Sequence, residues 1–141
     1  MTFKDKTETL TAEQCKALPT GGQTFHGILR NANPRIVNGK VFASTTEADR
    51  YVDLFLLEKA GKIQKLGMQV LFPLRINGVR IGNYKADFTY VERGQFILEE
   101  VKRAYISQSE KFRLKVIKAC LEMDLGCEFR VWSDGRYLES K

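Results

Sequence analysis

The stretch YKADFTYVERGQFILEEVK, residues 84–102, determines how the rest of the chain is interpreted. It contains two strand-like segments around an Arg-Gly pair at 93–94, which supplies a turn residue that tolerates a positive φ. If the turn is centred there, Asp87 lies directly opposite Glu100 on the neighbouring strand. Glu100 and Lys102 are two residues apart, so their side chains share one face of the strand. The sequence therefore predicts that an Asp, a Glu and a Lys converge on one face of a hairpin.

The surroundings of these acids are apolar. The second strand of the predicted hairpin carries apolar residues on both faces, which is typical of a buried central strand. Burying two neighbouring carboxylates costs several kcal/mol each unless a partner compensates. A divalent cation would compensate, and hard oxygen ligands suit Mg²⁺. An ion pair of Glu100 with Lys85 or Lys102 at a strand end would also do so, and from the residues alone both interpretations stay open.

Length, charge and cysteine content limit the class of protein. The chain has 141 residues, 43% of them hydrophobic, which is enough for one folded core. Its formal net charge of +6 favours a polyanionic partner, with nucleic acid ahead of a membrane surface. We find no membrane-spanning run and no signal-peptide core, and so expect no membrane partner and a cytoplasmic location. Cys15, Cys120 and Cys127 lack metal-site spacing and are expected to be reduced thiols.

Turn and capping signals organise the first half of the chain. Residues 1–32 are polar and predict an N-terminal arm, with a short helix at 11–18 and a lone loop histidine, His26. Asn38-Gly39 predicts a hairpin. A capping box from Ser44 to Glu47 then starts a helix that ends before Gly61. The apolar stripe of this helix is predicted at Ala48, Tyr51, Val52 and Phe55.

The second half repeats the same signals. A strand is predicted at 68–76, on an edge or with a bulge because of Pro73, and Asn77-Gly78 predicts the turn that follows it. Ser107 caps a second helix that runs to about residue 124, and a last strand at 128–133 precedes a turn and a short tail. This order predicts an α/β protein of the α+β type, with a central mixed β-sheet flanked by helices, over residues 33–141.

The second helix combines an apolar stripe with basic residues. The stripe is predicted at Phe112, Val116, Ala119 and Cys120, widened by Leu114, Ile117 and Leu121. From residue 102 to 118, six basic residues accompany a single acid, Glu110. Such residues suit phosphate contacts, although an ordinary amphipathic helix with a charged outer face is the alternative. The candidate nucleic-acid contacts are Arg103, Lys111, Arg113, Lys115 and Lys118, with Gln69 at the rim of the site.

Asp87 followed by Glu100-Val101-Lys102 resembles the acidic-hairpin signature of the PD-(D/E)XK nuclease superfamily. The resemblance implies that Asp87 and Glu100 hold a catalytic metal and that Lys102 positions or activates the attacking water. The Val101 carbonyl is a further implied ligand. The superfamily often adds an acid from its first helix, which here is Glu47, whereas the residues themselves explain Glu47 as part of a capping box. Ala86 stands where the superfamily has proline.

Further segments are similar to one family of that superfamily, the small phage- and prophage-encoded nucleases related to Holliday-junction resolvases. They are Val41-Phe42-Ala43-Ser44, Glu47-Ala48, Leu57 through Gly61-Lys62-Ile63, Leu66, Gln69, Ile81-Gly82, Tyr84, Ala86-Asp87-Phe88-Thr89-Tyr90, Glu100-Val101-Lys102 and Arg113-Leu114-Lys115. They run in the family's order over residues 33–132. Arg103 stands where the family often has glycine.

The resemblance implies a restriction-endonuclease-like core and a Mg²⁺-dependent DNA endonuclease in a bacterial or phage-infected cell, with Mn²⁺ as a substitute. The substrate would be branched DNA or a duplex that is nicked. Junction resolvases act as dimers, so the resemblance admits a homodimer, although no dimer surface is evident in the sequence. Two alternatives remain at this point: a DNA-binding module without catalysis, and a phage-encoded regulator that binds another protein through its N-terminal arm.

Overall fold

The computed structural model describes residues 23–25, 27–30, 32–103 and 105–138, without the side chains of residues 23–25 and 30. The described residues form nine strands and two helices. The chain divides into two compact units, Met1–Leu56 and Leu57–Lys141. The predicted helix at 11–18, Cys15 and His26 lie outside the described residues. The predicted domain boundary between residues 32 and 33 stays a prediction.

The first unit contains a small antiparallel sheet of four strands in chain order. The strands are β1 (Gln23–Phe25), β2 (Ile28–Arg30), β3 (Ile36–Val37) and β4 (Lys40–Val41). Asn38 and Gly39 connect β3 to β4 at φ values of 53° and 75°, which confirms the predicted hairpin. Strands β1 and β2 were not predicted, because three residues are too few to show an alternating pattern.

Helix α1 (Thr45–Lys59) starts and ends where the capping signals predict. The backbone N–H of Glu47 donates to the Ser44 hydroxyl at 3.2 Å, which satisfies one of the first amides of the helix. Gly61 follows the helix at a φ of 78°. Ala48 and Tyr51 are buried as predicted, whereas Val52 and Phe55 are only half-buried and Leu54, which was not predicted, is fully buried.

The second unit is built on a five-stranded mixed sheet. Its strands are β5 (Gln64–Ile76), β6 (Val79–Glu92), β7 (Gln95–Lys102), β8 (Glu128–Ser133) and β9 (Arg136–Leu138), in that order across the sheet. Only β7 and β8 are parallel, and helix α2 (Gln108–Leu125) connects them. This arrangement confirms the predicted class, a mixed sheet with flanking helices. Pro73 lies on the edge strand β5, as predicted.

The register of the central hairpin is the one that the sequence predicts. Arg93 and Gly94 form the turn at φ values of 52° and 78°, and β6 and β7 pair from Glu92↔Gln95 to Phe88↔Glu99. Asp87 and Glu100 are the next residues beyond the last pair. Strand β7 is central and buried from residue 97 to 101. The chain after Asp134-Gly135, predicted as a tail, returns along β8 as β9.

Helix α2 shows one correction. Ser107 and Gly126 cap it as predicted, with the Ser107 hydroxyl accepting from the Glu110 amide at 3.2 Å and Gly126 at a φ of 67°. The predicted apolar stripe is confirmed for Cys120 and for the three residues that widen it, but it is wrong for Phe112, which is 69% exposed, and for Ala119, which is also exposed. The buried residues are Leu114, Ile117, Cys120 and Leu121. Both sets have helical spacing, and contact with the core residues of β6, β7 and β8 decides between them.

Neither helix in the described part of the chain has the length and apolar character that crossing a bilayer requires.

Candidate functional site

Asp87 lies where the regular pairing of β6 with β7 stops. Its Oδ2 accepts a hydrogen bond from the Val101 backbone N–H at 2.8 Å, in the place where a strand carbonyl would otherwise accept. Its Oδ1 accepts from the Gln69 side-chain amide at 3.4 Å. The carboxylate of this half-buried residue therefore contacts both neighbouring strands, β5 and β7. Val101 therefore contributes its backbone amide to the site.

Gln69 occupies an irregular position on β5. Pairing with β6 runs from Met68↔Phe88 to Val70↔Ala86 without a pair between Gln69 and Asp87. Gln69 has a φ of 55°, although it lies within a strand. A non-glycine residue in the left-handed region costs roughly 1–3 kcal/mol, and such residues are concentrated at functional sites. The sequence predicts Gln69 only at the rim of the site, and no sequence pattern predicts its positive φ.

Glu100 is buried, with 6% of its surface exposed. The Tyr84 hydroxyl donates to its Oε1, and the Lys102 ammonium lies 2.9 Å from its Oε2. Burial, followed by the nearby charge of Asp87, raises the pKa of Glu100 even though Tyr84 and Lys102 act in the opposite direction. The pKa of Glu100 is thus raised although its carboxylate has two hydrogen-bonding partners.

Lys102 binds two carboxylates. Besides Glu100, its Nζ lies 2.5 Å from Oε2 of Glu110, a residue in the first turn of α2. Burial lowers the pKa of Lys102, but the hydrogen bonds and charges of Glu110 and Glu100 outweigh burial and raise it. The hydrogen bond from Lys102 in turn lowers the pKa of Glu110. The amine is therefore held protonated between β7 and α2.

Two contributors to this cluster were missed from the sequence, Tyr84 and Glu110. In the sequence, Tyr84 appears only in a segment that resembles a family, and Glu110 appears only as the partner of Ser107 in a capping box. Tyr84 is buried at 2% exposure, and burial followed by the charge of Glu100 raises the pKa of its hydroxyl, so that it remains a donor. We call Asp87, Glu100 and Lys102, with these two supporting residues, the acid–lysine cluster.

Both sequence interpretations of the acids are represented in the acid–lysine cluster. Asp87 binds the Val101 amide beside Glu100, although no strand pair joins Asp87 to Glu100, and the ion pair of Glu100 with Lys102 is present too, whereas Lys85 is exposed. Within the described ranges, no group of three or more His, Cys, Asp or Glu residues is arranged to hold a metal ion. Mg²⁺ commonly uses only one or two protein carboxylates together with water and substrate phosphate oxygens. Two neighbouring carboxylates at the end of a strand fit such an ion.

Glu47 belongs to the first unit, whereas the acid–lysine cluster belongs to the second. Its side chain is buried at 7% exposure in the first turn of α1. Its backbone amide makes the cap contact with Ser44, which is the structural role expected from the capping box.

The basic candidates separate into two groups. Arg113 contacts Glu110 at 3.0 Å and so adjoins the acid–lysine cluster. Lys111, Lys115 and Lys118 instead line a concave surface beside α2. Lys118 is paired with Glu122 at 2.6 Å. The side chain of Arg103 is exposed, and its backbone carbonyl accepts a hydrogen bond from Ser133.

Comparison with solved structures gives distant likenesses. A protein of unknown function, AF1548, is 14% identical with a TM-score of 0.48, over 65% of this chain and 48% of that one. The protein VC1899 from Vibrio cholerae is 12% identical with a TM-score of 0.45, over 91% of this chain and 37% of that one. The chain thus spans less than half the length of either protein, and at these scores neither indicates a function for it.

No curated protein matches the sequence. Residues 30–132 match a family described as "Protein of unknown function (DUF1064)". This match covers well over half of the chain, and the protein therefore belongs to that family.

Proposed function

We propose that the protein is a metal-dependent endonuclease that hydrolyses phosphodiester bonds in DNA. The observation that carries the proposal is the convergence of Asp87, Glu100 and Lys102 at the end of the central strand β7. A buried carboxylate beside a second carboxylate and a protonated amine is costly for stability, and such costs are typically retained where chemistry needs them.

Each residue of the cluster has a role in this proposal. Asp87 and Glu100 would hold Mg²⁺, with the Val101 carbonyl as a further ligand. The ion would polarise a phosphoryl oxygen and lower the pKa of a bound water. Lys102, fixed by Glu100 and Glu110, donates hydrogen bonds to the attacking water or to the developing charge on the phosphate. Tyr84 orients the Glu100 carboxylate, and Gln69 orients that of Asp87.

DNA is the proposed substrate because the chain carries an excess of basic residues, with a formal net charge of +6. Arg113 adjoins the cluster, and the exposed side chain of Arg103 directly follows Lys102 along the chain. Both are suited to contact phosphates on either side of the bond to be cut. Branched DNA and duplex DNA that is nicked are the substrates to compare, and a homodimer would allow two strands to be cut.

The experiment assays purified protein on labelled duplex, nicked, flapped and four-way DNA with Mg²⁺, with Mn²⁺ and with chelator. We expect cleavage that requires the metal, and a loss on the order of 10²–10³-fold in Lys102→Ala, with a loss at least as large in Asp87→Asn. Asp124→Asn on α2 and the exposed Lys62→Ala are matched controls that should keep full activity. Cleavage that persists in both cluster variants would rule out the proposed roles.

A DNA-binding module without catalysis is the second candidate. The observation that favours it is the double pairing of Lys102 by Glu100 and Glu110, which leaves the amine occupied in the protein alone. Metal-independent binding without cleavage of any substrate in the panel would support this candidate over the first.

A further inference from the structure

A concave surface lies beside α2 in the second unit, with a volume of about 1170 Å³. It is lined by the turn between β6 and β7, by the first half of α2, and by β8 and β9. The volume is slightly above the range of about 300–1,000 Å³ typical of small-molecule pockets. We call this surface the basic groove, and its size suits a segment of an extended chain.

The charge of the basic groove is positive. Its basic residues are Arg93, Lys111, Lys115, Lys118 and Arg130, and its acidic residues are Glu92 and Glu128. Both acids are already paired with Arg130, at 2.7 Å and 2.8 Å. Lys118 is paired with Glu122, but for Lys111, Lys115 and Arg93 the described residues provide no ion pair. These three charges are available to an anionic ligand.

The lysines of the groove are arranged along one side of the helix. Gln108, Lys111, Lys115 and Lys118 follow one another at helical spacing and all line the groove. Such a row spans several turns at 1.5 Å per residue and therefore matches a ligand with repeated negative charges. This repetition is typical of a nucleic-acid backbone.

The groove also exposes an aromatic ring to water. Phe112 lines it with 69% of its surface exposed, next to Lys111 in the sequence and one turn from Lys115. The sequence predicts this ring in the core, and the structure instead leaves it exposed beside two cations. Single-stranded nucleic-acid sites combine a basic path for the backbone with aromatic rings on which bases stack. A paired duplex keeps its bases stacked internally and has no use for such a ring.

The position of the groove relates it to the acid–lysine cluster. Gln108 and Lys111 flank Glu110 in the first turn of α2, and Glu110 contacts Lys102. A strand whose scissile phosphate lies at the cluster would therefore reach the groove across one helical turn. Resting on the proposed function, we propose that the basic groove binds an unpaired segment of the DNA substrate, with a base stacked on Phe112 and phosphates on Lys111 and Lys115.

The test measures binding in chelator, so that it does not depend on cleavage. Fluorescence anisotropy with a labelled oligothymidylate, a blunt duplex and a duplex with an overhang gives Kd values for wild type and Phe112→Ala. We expect Phe112→Ala to weaken binding of the oligothymidylate and the overhang on the order of tenfold, from the loss of one stacked base, with the blunt duplex unchanged. Phe112→Trp should restore binding.

The double variant Lys111→Ala/Lys115→Ala examines the phosphate contacts. We expect the slope of log Kd against log salt for the oligothymidylate to fall by about 1.4, since each lost contact contributes about 0.7. Met123→Ala, at 88% exposure on the same helix, and Lys62→Ala are the matched controls and should bind as wild type. All of these side chains are exposed, and circular dichroism should be unchanged.

Three outcomes would overturn the proposal. The first is that Phe112→Ala and the double variant bind the oligothymidylate as tightly as wild type. The second is that the variants lose as much affinity for the blunt duplex as for the oligothymidylate. The third is that polyglutamate displaces the oligothymidylate at equal affinity, which would indicate an acidic peptide instead. Failure of the groove and failure of the nuclease are distinguishable. If the protein cleaves DNA but Phe112→Ala binds the oligothymidylate as wild type does, only the groove proposal is rejected. If the protein binds single strands through Phe112 but cleaves no substrate, only the nuclease proposal is rejected.

Discussion

Tyr84 and Tyr90 both donate from β6 to carboxylates of β7, which allows a comparison, although Tyr90 and Glu99 also contact the Tyr137 hydroxyl. Tyr84 donates to Glu100, and Tyr90 donates to Glu99 at 2.6 Å. Phenylalanine at either position leaves a buried carboxylate short of one hydrogen bond, which costs about 1–3 kcal/mol. We expect Tyr84→Phe and Tyr90→Phe to lower the free energy of unfolding by similar amounts, measured by urea denaturation.

Only Tyr84→Phe should also alter cleavage. Without the hydroxyl the pKa of Glu100 rises further, because the hydrogen bond stabilises the charged form. The acidic limb of the pH profile for cleavage should therefore move to higher pH in Tyr84→Phe and stay in place in Tyr90→Phe. Identical profiles in both variants would assign Tyr84 a structural role alone.

Under the proposed function, Glu110 would compete with a phosphate for the amine of Lys102. Its carboxylate forms ion pairs with both Lys102 and Arg113, the two cations that adjoin Asp87 and Glu100. We expect Glu110→Gln to bind DNA about two- to fivefold more tightly in chelator, the range that a partly exposed ion pair supports. The pKa of Lys102 should fall as well, so the loss of binding on the alkaline side should begin at lower pH. Asp124→Asn is the control, and unchanged affinity in Glu110→Gln would reject the competition.

At the scale of elements, turns are what the sequence predicts best. Asn38-Gly39, Asn77-Gly78 and Arg93-Gly94 each adopt positive φ values and each connects the expected strands, because the preference for a tight turn is local. The register of β6 with β7 follows from the last of these turns. The placement of Asp87 and Glu100 just beyond the last strand pair could therefore be predicted without coordinates.

Elements that depend on tertiary contact were predicted less well. Strand β9 has three residues and exists through pairing with β8, and the buried side of α2 is selected by the sheet that it covers. The contact of Glu110 with Lys102 depends on how α2 approaches β7. None of these is encoded in local spacing, which explains why the lysine was predicted and its second partner was not.

The irregularity of β5 at Gln69 permits a test of stored strain. Glycine adopts a φ of 55° freely, so we expect Gln69→Gly to raise the free energy of unfolding by up to about 1 kcal/mol. Lys65→Gly, at a φ of 58° on the same strand, is the matched control and should give a similar gain. Only Gln69→Gly removes the contact with Asp87, and only it should slow cleavage. A loss of stability in Gln69→Gly alone would show that the side-chain contact outweighs the backbone strain.

At the scale of the molecule, the small sheet of the first unit constrains how the N-terminal arm can be studied. Removing residues 1–32 would delete β1 and β2, including Ile28, which is 2% exposed. A truncation that begins at Gln23 keeps all four described strands of that sheet. It is therefore the variant that separates a partner-binding role of the arm from the integrity of the first unit.

The stability of the whole molecule should depend on pH through Glu100. Its pKa in the folded protein lies above the ordinary value of 4.5, so the folded state holds the proton more tightly than the unfolded chain. Its contribution favours folding fully below 4.5 and is lost as the pH rises through the raised pKa. At neutral pH we therefore expect Glu100→Gln to increase the free energy of unfolding, by about 0.5–2 kcal/mol, and the gain to shrink on acidification.

Glu128 supplies a control of opposite sign. The hydrogen bond from Arg130 lowers the pKa of Glu128, so its contribution is present above 4.5 and is lost as the pH falls through the lowered value. Glu128→Gln should therefore be less stable than wild type at neutral pH, with a difference that vanishes in acid. Adding Mg²⁺ at neutral pH should raise the Tm of wild type and of Glu128→Gln, because an ion that binds the folded state stabilises it. The Tm of Glu100→Gln should not change with Mg²⁺. An equal rise in Tm in all three proteins would show that Mg²⁺ binds at a site that does not include Glu100.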